Sequence, residues 1–250
     1  MSTIVPLELP FLVRGYDCGY GGPLRPLALA NMLQEAAGEH AFQLGVGADA
    51  MAARGLTWML SRLDIRVDRE PRESERLVVR TWPAGFEKLF AVRDFEVVGE
   101  GSDKPIIRAS YAYLVVDVEA RRPLRPQNAV DPDLASPRPR AMPDAIFTVP
   151  RSEAPFVEAY REIAGERHID HNGHVNNAHL IAWICDASPA SERANGHLAA
   201  LRMEFSQEAL LGDELCTVWA PLPASETGTR QACELRRGTD ACARAEVTWS

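Results

Sequence analysis

The stretch Leu27-Ala28-Leu29-Ala30-Asn31-Met32-Leu33-Gln34-Glu35-Ala36 carries apolar residues at helical spacing, and Ala178 to Ala187 answers it 151 positions later. Both stretches end in an acid followed by alanine. Outward from each helix lie runs with strand-like alternation and β-branched or aromatic content. They are Ile65 to Val67, Leu77 to Trp82 and Phe90 to Val98 after the first helix, and Met203 to Phe205 and Leu215 to Ala220 after the second. Ile65-x-Val67-x-x-Glu70 aligns with Met203-x-Phe205-x-x-Glu208, and Leu77 to Trp82 with Leu215 to Ala220, at one constant offset of 138. Ile106 to Val118 and Ala241 to Trp249 add further strand patterns. Each half therefore predicts a central helix wrapped by about five antiparallel strands, an α+β arrangement made twice. Two such halves joined edge to edge would cover strands that otherwise stay exposed.

Between the halves, Pro123, Pro126, Pro132, Pro137, Pro139 and Pro143 punctuate a segment with neither period, which predicts a linker over 123–143. It divides the chain into a first domain, 1–122, and a second, 144–250. The 250 residues are 46% hydrophobic and 25% charged, a balance that excludes disorder, collagen and coiled coil. Ile4 to Val13 is broken by Pro6, Glu8 and Pro10, too short for a membrane span or a secretory core, so a cytoplasmic address is expected. A net charge of −8 offers no positive field to a phosphate backbone, which argues against nucleic acid. The five cysteines (Cys18, Cys185, Cys216, Cys233, Cys242) contain no C-x-x-C and read as reduced and mostly buried.

The densest polar cluster is His168-Ile169-Asp170-His171-Asn172-Gly173-His174-Val175-Asn176-Asn177, directly before the second helix. Helix capping accounts for Asn176 and Asn177. It leaves Asp170-x-Asn172-x-His174 unexplained, three hydrogen-bonding side chains that an extended segment would project on one face. They would converge beside a helix N-terminus, whose free N–H groups and positive dipole end stabilise an oxyanion. His174 and His179 are five apart with no Glu in the zinc pattern, so metal-free chemistry and no cofactor are expected. No G-x-S-x-G occurs for a serine hydrolase, and Cys185 falls within the helix, where it reads as core. At the offset of 151 the triplet corresponds to Gly19, Gly21 and Pro23, so one active site is expected, in the second half.

Asp170-x-Asn172-x-His174-Val175-Asn176-Asn177, with Trp183 six residues on, resembles the signature of the acyl-ACP thioesterases of plant plastids and bacteria. Leu33-Gln34-Glu35-Ala36-Ala37-x-x-His40-Ala41, Trp58-x-Leu60-x-Arg62, Thr81-Trp82-Pro83, Arg93-Asp94-Phe95 and Glu204-Phe205-x-x-Glu208 look like that family's other landmarks, from Phe11 to Trp249. The resemblance implies a tandem hot-dog fold and hydrolysis of the thioester that joins a fatty acid to acyl carrier protein (ACP). It implies Asp170, Asn172, His174 and Glu208 as the catalytic group. Glu208 would be the general base, a carboxylate at the mouth of an apolar tunnel with its pKa raised toward neutrality. Asp170 would share that task or act as nucleophile, Asn172 would hold water or the thioester oxygen, and His174 would orient a carboxylate or assist the leaving thiolate.

Backbone N–H groups of Asn177 and Ala178 are the oxyanion-hole candidates. The cysteine that the family often carries after the late glutamate is Ala209 here, which favours attack by water. On the family analogy the first half holds the acyl chain, with Met32, Trp58 and Met59 as lining residues. Arg121, Arg122, Arg125, Arg138 and Arg140 could form a patch for the acidic carrier or present a solvated linker face, while His168 and His171 read as solvent-facing. ACP is the expected partner, with no nucleic acid and no membrane, and a homodimer is left open. The alternatives are an acyl-CoA thioesterase of the hot-dog superfamily and a catalytically silent acyl-binding protein.

Overall fold

A computed structural model describes residues 4–145, 147–225 and 228–250. In chain order the first half holds β1 (Leu7–Leu12), α1 (Pro26–Gln43), α2 (Ala48–Ala52), β2 (Leu56–Val67), β3 (Arg76–Glu87), β4 (Phe90–Gly99), β5 (Pro105–Asp117), β6 (Arg122–Leu124) and α3 (Pro126–Ala129). The second holds β7 (Val157–Ile163), α4 (Asn177–Asp186), α5 (Ala190–Asn195), β8 (Leu198–Phe205), β9 (Glu214–Pro221), β10 (Thr229–Arg237) and β11 (Asp240–Trp249). Among the described residues no helix is long and apolar enough to cross a membrane.

All strands belong to one sheet in the order β1-β3-β4-β5-β2-β8-β11-β10-β9-β7, with β6 beside β5. Each half is an antiparallel sheet packed on its own helix, and the halves meet edge to edge where β2 pairs β8. This is the tandem hot-dog architecture. Leu63, Ile65, Leu201 and Met203 from the junction strands enter the shared core, so the seam is sealed by apolar contact as well as by ladder hydrogen bonds. On the other face of the seam Asp64 is fully buried against Arg66 and Arg202.

The repeat holds at both offsets. A 3-10 turn at Gly15–Asp17 matches one at Glu166–His168, the bridge Cys18↔Leu24 matches Ile169↔Val175, and α1 and α4 begin 151 positions apart. Pro23↔Arg72 answers His174↔Leu210, the second partner of each bridge being 138 positions from its counterpart. Gly22 at φ +91° and Gly173 at φ +82° occupy the same left-handed turn position.

Local chemistry explains the helix ends. Pro26 stands at the first position of α1, and Gly45 at φ +71° closes it. There the Val46 N–H reaches the Ala41 carbonyl and the Gly45 N–H that of Phe42, a Schellman closure. Asn176 caps α4, its Oδ1 accepting the Ala178 N–H at 2.9 Å.

The stretch expected as a structureless linker begins inside β6 and contains α3. Beyond α3 the chain lies against the outer face of the sheet as a strap. Arg138 pairs with Glu96 at 2.6 Å and stacks over Trp82, while Arg140 pairs with the fully buried Asp94 at 2.7 Å and with Glu87 at 2.8 Å. Arg62 and Arg66 then hold Phe147 and Asp144 across the seam. Arg138 and Arg140 are thus engaged in ion pairs within the chain.

Candidate active site

Asp170-His171-Asn172-Gly173-His174 forms the tip of a small hairpin closed by the Ile169↔Val175 bridge. The extended geometry expected for the triplet is corrected here. The Asp170 N–H donates to the His174 carbonyl at 2.9 Å and the Gly173 N–H to the Asp170 carbonyl at 3.0 Å, so the chain reverses within five residues. Gly173 supplies the positive φ that the turn needs. Asp170 Oδ1 accepts the Asn172 N–H at 2.8 Å, an Asx turn that fixes this carboxylate against its own backbone. Asp170 and His174 therefore face each other across the hairpin, whereas Asn172 sits exposed at its tip.

Glu208 reaches the hairpin from the segment after β8. His174 pairs with Leu210 as a bridge, the Val175 N–H donates to the Ala209 carbonyl at 2.8 Å, and His174 Nε2 stands 3.3 Å from Glu208 Oε2. Glu208 is 56% exposed, so it lies at the surface. Ala209 is buried, with its carbonyl spent on the hairpin.

Arg237, which the sequence did not single out, holds this segment. It donates to Gln207 Oε1, to the Glu208 carbonyl and to Asp213 Oδ2, and Asp213 in turn accepts the Leu210 N–H. No local signal marks it, because it stands twenty-nine positions from Glu208.

Of the two oxyanion candidates, Ala178 is corrected: its N–H is already taken by the Asn176 cap. The Asn177 N–H has no hydrogen-bond partner among the described residues and lies at the positive end of α4. His171 is exposed as expected, but His168 is buried. Its ring packs 4.9 Å from that of His179 and 5.0 Å from Trp183, beneath the hairpin. Burial holds both imidazoles below the ordinary histidine range, helped by Arg167 at His168 and by His168 at His179. Cys185 is core, and burial pushes its thiol up.

The acyl-ACP thioesterase N-terminal domain matches residues 8–134, and the acyl-ACP thioesterase C-terminal domain matches residues 166–250. The chain belongs to the acyl-ACP thioesterase family. It is 24% identical over 226 residues to a chloroplastic oleoyl-acyl carrier protein thioesterase of Coriandrum sativum, covering 84% of this chain and 61% of that one. It is 25% identical over 210 residues to a chloroplastic palmitoyl-acyl carrier protein thioesterase of Cuphea hookeriana, covering 79% and 50%. The chain thus spans half to three fifths of the length of these relatives. Among solved structures, an acyl-ACP thioesterase from Bacteroides thetaiotaomicron superposes with a TM-score of 0.82 at 25% identity over 98% of each chain. A 12:0-ACP thioesterase from Umbellularia californica gives 0.83 at 22% identity, covering 98% of this chain and 94% of that one, and shows the shared fold.

In this family member two cavities flank the helix pair. The larger, about 660 Å³, lies at the first-half counterpart of the hairpin, where Gly19, Pro23 and Glu70 stand in place of Asp170, His174 and Glu208. There Glu70 is half-buried, accepts the Leu198 N–H at 3.1 Å, and has its pKa raised by burial. The smaller, about 220 Å³, is nearly all apolar and lies between α1, β2, β3 and β4. None of Asp170, Asn172, His174 and Glu208 lines either one.

The helices relate the apolar cavity to the hairpin. Pro26, Leu27 and Leu29 at the start of α1 share the larger cavity with Ala182, Trp183 and Asp186 at the end of α4, so the two helices run antiparallel. The Asn177 end of α4 is thereby directed toward the later turns of α1, whose Gln34, Ala37, Gly38 and Ala41 line the apolar cavity. Trp58 lines that cavity, its Nε1 donating to the Val46 carbonyl at 2.8 Å. Neither Met32 nor Met59 lines it. Met59 follows Trp58 on β2 and so points to the opposite face, and Met32 lies on the far side of α1 from Gln34 and Gly38, in the core.

Proposed function

We propose that the chain hydrolyses the thioester of a fatty acyl-ACP to a free fatty acid and holo-ACP. The observation that carries this reading is the His174–Glu208 contact on the rim of the hairpin, three residues before the Asn177 amide, which has no hydrogen-bond partner among the described residues. A carboxylate and an imidazole within 3.3 Å of each other form a path along which one proton can move.

In this reading water adds to the thioester carbonyl and gives a proton to Glu208. The oxygen that gains charge is met by the Asn177 N–H and the amino end of α4. Collapse of the tetrahedral intermediate breaks the C–S bond, and His174 passes the proton to the departing thiolate. Asp170 has one oxygen spent on the hairpin backbone, so its part is to hold the turn and to present the other oxygen to water. Asn172, exposed at the tip, meets the incoming pantetheine arm. We assign the acyl chain to the first half, 1–122, and the hydrolytic residues to the second, 144–250, with 123–143 joining them.

Parallel kcat/KM measurements with one acyl group on ACP and on CoA test the carrier. A preference for ACP is expected, and a preference for CoA would overturn that part of the reading. Stoichiometric retention of intact acyl-ACP without thiol release would replace hydrolysis by acyl binding.

A further inference from the structure

The wall of the apolar cavity carries a buried guanidinium without a counter-charge. Arg93, on β4, is 9% exposed and lines the cavity beside Tyr113 of β5. Its Nη1 lies 3.0 Å from His40 Nδ1 and donates weakly to Thr81 Oγ1 at 3.4 Å. His40 is 2% exposed and also bonds the Val5 backbone; burial, then the neighbouring Arg93, lowers its pKa to about 4, so it is neutral at physiological pH. Among the described residues no carboxylate pairs with Arg93, and its Nε and Nη2 donors have no hydrogen-bond partner. The Tyr113 hydroxyl has none either. Burial lowers the Arg93 pKa only to about 10, which leaves the group charged. A buried charge is costly until an opposite charge meets it.

We infer that this cavity binds a free fatty acid by its carboxylate, held on the Arg93 guanidinium and the Tyr113 hydroxyl, with the hydrocarbon against Trp58, Phe86, Val92 and Leu134. The inference rests on the thioesterase reading only in naming the reaction product as the ligand. The acyl chain of a thioester offers Arg93 no anion, so the cavity favours product over substrate. The released acid accordingly competes with the next acyl chain.

The test is titration calorimetry of the full chain at neutral pH with dodecanoic acid and with dodecan-1-ol. The acid is expected to bind about tenfold or more tightly than the alcohol, as a charge-assisted hydrogen bond requires. Arg93→Met abolishes the difference, and Tyr113→Phe weakens acid binding by roughly threefold. Equal affinities in the wild type, no binding of either ligand, or an acid preference that survives in Arg93→Met would overturn the inference. If Arg93→Met fails to fold, the wild-type comparison together with Tyr113→Phe decides. Absence of thiol release from acyl-ACP would sink the proposed hydrolysis and leave this titration unaffected.

Discussion

His174 Nε2 stands 3.3 Å from Glu208 Oε2, above an antiparallel bridge between His174 and Leu210. Two segments thirty-four residues apart are thereby fixed by backbone before their side chains meet, which is how a surface pair can keep one geometry.

That pairing makes the two residues a unit. In a double-mutant cycle on thiol release, His174→Gln and Glu208→Gln should each lower kcat/KM, and the double variant should lose much less than the product of the two losses. Independent, additive effects would separate the pair.

The cap of α4 should be worth about 1 kcal/mol, so Asn176→Ala is expected to lower stability to urea by that amount, and Asn176→Asp to retain most of it. Equilibrium unfolding of the three proteins checks this.

The strap is anchored by a buried carboxylate. Asp94 accepts from Ser110 Oγ, Arg140 Nε and the Ala141 N–H. Arg140→Met removes the cation and leaves Asp94 buried, which is expected to cost about 3 kcal/mol or more and to speed proteolysis of the segment around residues 136–145. Limited proteolysis with mass mapping would show where cleavage begins.

His40 gives the fold an acid-side dependence. Its folded pKa of about 4 lies below the ordinary value of 6.5, so between these values the unfolded chain binds more protons. Stability is therefore expected to fall as pH drops from 6.5 to 4, by roughly 3 kcal/mol from this group. His40→Gln should flatten that part of the curve, as measured by urea midpoints across the range.

The repeat was legible because core periodicity and the order of elements survive in both halves, down to the offsets of 151 and 138. Elements whose sequences break the pattern were not. β1 carries Pro10 yet forms an edge strand, where a missing N–H is tolerated, and β7 reads as mostly exposed because it too is an edge. The strap reads as a linker because its fastenings are ion pairs to residues more than forty positions away. In the site, the residue types of the triplet were visible but not their turn, which depends on Gly173 and on an Asp170 side chain bonded to the backbone. Arg237 and the Arg93–His40 contact join distant strands and helices, and nothing local announces them.

The most direct measurement is the rate of thiol release from dodecanoyl-ACP by the wild type, Glu208→Gln and Asp170→Asn, with folding checked by circular dichroism. Proton transfer through Glu208 predicts a loss of about 100-fold or more in that variant, and a smaller loss in Asp170→Asn, whose remaining oxygen still accepts the Asn172 N–H. Wild-type rates in both folded variants would contradict the account.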